Sequence, residues 1–123
     1  MGKYNKLLVE FMVKKNRIIK RLTGLLITTK SDMDELRAWP EDTCKYILSN
    51  LGDRGRQCCP WCFMNSCASC SYGKRNGQCS DWTSRYRKLW DRNRARTERE
   101  QFPGVKELVS DTKKKFDRLR RGA

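Results

Sequence analysis

Six of the seven cysteines in this chain, Cys58, Cys59, Cys62, Cys67, Cys70 and Cys79, fall within residues 58–79, and the chain has no histidine. Such a cluster is either a metal cage or a disulfide framework. A disulfide framework needs an oxidising compartment, normally reached through a secretory signal. None is visible: the apolar stretch from Leu7 to Val13 is interrupted by Glu10, closed by Lys14-Lys15, lacks a cleavage site and is too short to span a bilayer. Lys6 stands where a myristoylation signal has Ser or Thr. The expectation is a cytoplasmic protein in a reducing environment, whose clustered thiols hold a metal.

Two Cys-x-x-Cys knuckles, Cys59-Pro60-Trp61-Cys62 and Cys67-Ala68-Ser69-Cys70, supply sulfurs in pairs, and zinc is the default occupant. Tetrahedral zinc takes four ligands. Only Phe63 to Ser66 separate the knuckles, a tight loop, and Cys79 follows a turn-rich stretch, Ser71 to Gly77, that can return it to the same ion. The ligands are expected to be four of Cys59, Cys62, Cys67, Cys70 and Cys79. Cys58 is the spare, because adjacent side chains rarely point at one ion. Cys44, far upstream in a helical pattern, reads as a small buried hydrophobe. An iron–sulfur cluster also takes four thiolates and stays open as the alternative. A thioredoxin-like dithiol needs a strand before the motif and a helix after it, and that pattern is missing.

Charge sets the partner class. Lys and Arg number 28 against 14 Asp and Glu, a net charge of +14. Residues 1–22 carry seven basic residues and one acidic, 23–52 three and five, 53–83 four and two, and 84–121 fourteen and six. Both arms are strongly basic, and such a field attracts polyanions in a salt-dependent way. Nucleic acid or a nucleoprotein complex is the expected partner. A basic amphipathic N-terminal helix also suits an anionic membrane surface, the weaker reading.

The periodicity is helical throughout, apart from the cysteine segment. Tyr4, Leu7, Leu8, Phe11, Ile18, Ile19 and Leu22 recur at spacings of three and four, which predicts a helix over 3–22 ended by Gly24. Residues 25–29 are ambiguous. Ser31 is the expected N-cap of a second helix, with Asp32, Asp34 and Glu35 in its first turn. Trp39-Pro40 breaks it, Pro40 suits a first helical position, and Tyr46, Ile47, Leu48 and Leu51 form the next apolar face. Beyond the cysteines, Ser80-Asp81 caps a helix with a stripe of Trp82, Tyr86, Leu89 and Trp90. Pro103-Gly104 ends it, and a last helix runs over 105–119. The fold class is all-α: one small domain of four to five helices around a cysteine-rich metal-binding loop. N-terminal helices occupy 1–52, the metal loop 53–80 and basic helices 81–123.

For nucleic acid, the first candidates are Arg85, Arg87, Lys88, Arg92, Arg94, Arg96 and Arg99, since guanidinium groups bind phosphate in a fork and stack on bases. Lys74 and Arg75, in a Gly-flanked turn, are second. The Trp-rich stripe suits a protein partner. Catalysis finds no foothold: no histidine acid–base and no phosphate loop occur, the carboxylates of 32–42 have a helix-dipole explanation, and a cage of cysteines leaves no open metal position.

The run Cys59-x-x-Cys62, Cys67-x-x-Cys70 and Gly77-Gln78-Cys79, with Tyr86 downstream, resembles small cysteine-rich, zinc-knuckle-like proteins of tailed bacteriophages and prophages. Those proteins have a longer spacer between knuckles, and Thr-Pro-Tyr where this chain has Asp81-Trp82-Thr83. The resemblance implies a virus or mobile-element origin and a job inside a bacterial or archaeal cell. It implies no particular activity. Phage proteins of this size are often regulators, or inhibitors of host machines such as RNA polymerase or CRISPR effector complexes. A protein–protein inhibitor or assembly subunit is therefore the rival function.

Overall fold

A computed structural model describes residues 2–51, 60–61, 70–76 and 104–122. Among these are five helices and no strand: α1 (Lys3–Thr23), α2 (Lys30–Ala38), α3 (Glu41–Ser49), α4 (Ser71–Asn76) and α5 (Val105–Gly122). The expected helix over 81–102 and most of the cysteine segment lie outside the described residues.

The central element is α1, which packs against α2, α3 and α5. Its apolar positions recur every three or four residues, so Leu7, Leu8, Phe11, Met12 and Ile19 are all buried. They meet Leu36 of α2, Cys44, Ile47 and Leu48 of α3, and Val105, Leu108 and Phe116 of α5 in one core. Burying each large side chain contributes roughly 1.5–3 kcal/mol. This use of the apolar face against protein leaves little of it for a membrane surface, and no helix among the described residues is long and apolar enough to cross a bilayer. α5 runs antiparallel to α1: Gly104 lies against Ile18, Lys115 pairs with Glu10, and the rings of Phe116 and Tyr4 are 5.6 Å apart.

The joints follow local chemistry. Gly24 takes the left-handed conformation (φ 76°) and returns its N–H to the Lys20 carbonyl, which closes α1. Residues 25–29 are not helical. The Asn16 side chain of α1 reaches across to them, donating Nδ2 to the Thr28 carbonyl at 2.9 Å and accepting the Thr28 N–H at 3.2 Å. The N-cap of α2 is Thr29 rather than Ser31: Thr29 Oγ1 accepts the Asp32 N–H, and the Asp32 carboxylate accepts the Thr29 N–H at 2.8 Å. This reciprocal box satisfies two free amides, whereas a cap at Ser31 would leave both open. At the other end of α2, Asn5 of α1 donates to the Trp39 carbonyl at 2.7 Å and the Leu36 carbonyl at 3.4 Å. Pro40 is the N-cap of α3 rather than its first helical residue, so the helix starts one place later than expected. Ser71–Asn76, expected as a turn, is helical, with the Lys74 N–H on the Cys70 carbonyl.

Candidate nucleic-acid interface

Of the expected metal ligands, Cys70 is described, and Cys59, Cys62, Cys67 and Cys79 lie outside the described residues. Cys70 is half-buried and in no disulfide, and its Sγ accepts the Gly73 N–H at 3.5 Å. Among the described residues no three Cys, Asp or Glu side chains gather into a metal-binding group. Cys44 is fully buried in the core, where burial first and the Glu41 charge second push its thiol up to about 11. It is a neutral thiol at physiological pH.

Asp32 in the first turn of α2 and Glu35 in the next receive the described residues around the cysteines, Trp61 and 71–76. Glu35 Oε1 accepts Trp61 Nε1 at 3.1 Å, Trp39 Nε1 at 3.2 Å and the Ser71 hydroxyl. Glu35 Oε2 pairs with the Arg75 guanidinium, whose Nε also lies 2.7 Å from Oδ1 of fully buried Asp32. Asn76 Nδ2 donates to the same Asp32 carboxylate at 3.2 Å. Around this polar knot, the Trp61 ring sits 5.5 Å from Trp39 and 5.2 Å from Tyr72, and the Tyr72 hydroxyl donates to the Ile27 carbonyl. Burial works against charge on both Glu35 and Arg75. On Glu35 the hydrogen bonds from Ser71, Arg75 and Trp61 outweigh it and hold the carboxyl below its ordinary value. On Arg75 the bonds to Asp32 and Glu35 hold the guanidinium above its own.

The sequence-predicted phosphate contacts divide accordingly. Lys74 is exposed, whereas Arg75 is committed to two carboxylates. Arg85, Arg87, Lys88, Arg92, Arg94, Arg96 and Arg99 lie outside the described residues. The structure instead assembles a basic surface that the sequence reading did not single out, the seam between α1 and α5. Two contiguous grooves of about 450 and 580 Å³ open along it. Lys3, Lys6, Lys14, Arg17 and Arg21 line the α1 side, and Lys114, Lys115 and Arg118 the α5 side. Glu10, Glu107 and Asp111 are the acidic residues among them. Glu10 bridges both rows, 2.8 Å from Lys14 Nζ and 2.7 Å from Lys115 Nζ, and these lysines lower its pKa.

Comparison with protein-family models, curated proteins and solved structures found no match to this chain. What the seam binds follows from its own chemistry. Lys3, Lys6, Arg17, Arg21, Lys114 and Arg118 make no ion pair among the described residues, so six exposed cations stand beside the Glu10-bridged pair, with Glu107 and Asp111 as the other carboxylates of the seam. The signal that finds them is periodic: positions 3, 6, 14, 17 and 21 of α1, and 114, 115 and 118 of α5, each fall on one helical face.

Proposed function

We propose that this chain is a nucleic-acid-binding accessory or regulatory protein, acting on bare nucleic acid or on a nucleoprotein complex, with a structural metal in its cysteine-rich segment. The observation that carries the reading is the seam, where basic side chains of two sequence-distant helices line its two grooves with eight positive charges against three negative in all. A cluster of cations left unneutralised in this way attracts a polyanion and releases its counterions on contact. Solubility needs no such arrangement, because mixed charges spread over the surface serve it better.

The metal reading rests on the thiol spacing and on the way α2 gathers the chain around it. Trp61 and Ser71, neighbours of Cys62 and Cys70 in sequence, donate to one oxygen of Glu35. Four of Cys59, Cys62, Cys67, Cys70 and Cys79 would hold zinc, which would supply structure rather than chemistry, since four thiolates fill its coordination sphere.

The test is fluorescence anisotropy of labelled DNA and RNA oligonucleotides against the full chain at rising salt. Log affinity should fall linearly with log salt. Absence of binding to every oligonucleotide at low salt would sink the proposal and leave the protein-partner inhibitor as the better reading.

A further inference from the structure

We infer that the α1–α5 groove holds a single strand of nucleic acid by its phosphates, lengthwise between two walls of cations; this rests on the nucleic-acid reading above. Lys3, Lys6, Arg17 and Arg21 stand on one wall and Lys114 and Arg118 on the other. From Lys6 to Arg21 the α1 wall runs roughly 22 Å at the rise of an α-helix, long enough for several nucleotides.

Three features select one strand over a duplex. The cations line a concave seam between two helices, whose interior a single flexible sugar–phosphate backbone can follow. A duplex is convex and far broader, so it would touch the crests and leave the interior unfilled. The groove also has apolar surface between its charged walls, from Leu7, Ile18 and Leu108, on which sugars and base edges can rest once phosphates are held on either side. The Glu10 bridge is the third: it fixes Lys14 and Lys115 across the middle of the groove and ties the walls together before any ligand arrives. No aromatic side chain lines the groove among the described residues, so stacking cannot read the bases there. The strand is therefore held without regard to its sequence.

The experiment compares labelled oligo-dT, oligo-dA and a duplex of equal length, titrated with the full chain over a salt series. The variants are Arg17→Gln/Arg118→Gln in the groove and Lys30→Gln/Arg37→Gln, exposed on α2, as the control. Six unpaired cations predict a slope of log affinity on log salt near −4.2 for single strands, and the groove double variant should lose about 1.4 of it. Its affinity at low salt should fall about tenfold or more while the control pair stays near wild type. Helical circular dichroism and thermal midpoint should match wild type in both variants, as all four side chains are exposed. Oligo-dT and oligo-dA should bind within a few-fold of each other. Duplex binding as tight as single strand would overturn the one-strand assignment. Unchanged affinity in the groove variant would remove the groove from the interface while nucleic-acid binding itself stood. Displacement of the oligonucleotide by poly-glutamate at equal charge concentration would reassign the groove to an acidic protein segment. A chain that binds no oligonucleotide would lose both proposals together.

Discussion

Glu35 shows how much one side chain can organise. Its carboxylate receives two indole N–H groups, a hydroxyl and a guanidinium, from Trp39, Trp61, Ser71 and Arg75, residues as far as 40 positions away in sequence. Because these bonds hold its folded pKa below the ordinary 4.5, the stabilisation is present above that value and is lost as pH falls through the lowered one. Glu35→Gln should therefore flatten the acid limb of the thermal-midpoint profile, and at neutral pH it should cost about 1–3 kcal/mol by leaving Arg75 with one charged partner. A profile with its acid limb unchanged would show that the ties to Glu35 contribute nothing. Cys44 makes the opposite case, a titratable group removed from chemistry. With its thiol pushed up to about 11, it should resist iodoacetamide in the folded protein at neutral pH and react fully in denaturant. Peptide mass spectrometry reads both states, and labelling of the native chain at Cys44 would contradict its burial.

At the scale of elements, the connections carry more information than the helices. Helix positions were legible because apolar residues recur every three or four places, and α1 ends at Gly24 as its sequence suggests. The joint between α1 and α2 was not legible. Asn16 looks like one more polar residue on a basic helix, yet its amide pairs with both backbone groups of Thr28 and so determines where residues 25–29 run. Nothing local distinguishes it, since its partners lie 12 positions ahead. Asn16→Ala should cost about 2 kcal/mol in chemical denaturation by stranding a buried N–H and C=O, and Asn16→Asp should recover only part of that, keeping the acceptor without the donor. An alanine variant as stable as wild type would mean the loop is held without Asn16, by Ile27 burial and the Tyr72 hydroxyl on the Ile27 carbonyl. The cap of α2 was within reach of the sequence, because Thr29-x-x-Asp32 is a capping box. Ser31 competes with it on composition, and only the reciprocal pairing with Asp32 decides between them.

For the whole molecule, the consequence is coupling between the cysteine-rich segment and the helical core. Trp61 and Tyr72 belong to that segment by sequence, but both are buried in the same core as α1, α2 and α3, and Trp61 is fully buried. If thiolates hold zinc there, a strong chelator should shift the tryptophan emission to the red and lower the thermal midpoint together, and added zinc should reverse both. Emission and midpoint that ignore the chelator would separate the core from any metal. The sequence by itself determined the helical class, the end of α1 and the clustering of thiols, because periodicity, glycine conformation and spacing act over a few residues. It also showed that positive charge is concentrated in both arms. Only the tertiary structure decided where that charge becomes a surface. Antiparallel packing sets positions 3–21 beside positions 114–118, and the same packing turns the acid-rich start of α2 inward, where Asp32 and Glu35 neutralise Arg75. Charges attract or cancel according to their distance in space, and distance across roughly a hundred residues of chain is set by the burial of the core rather than by any local pattern.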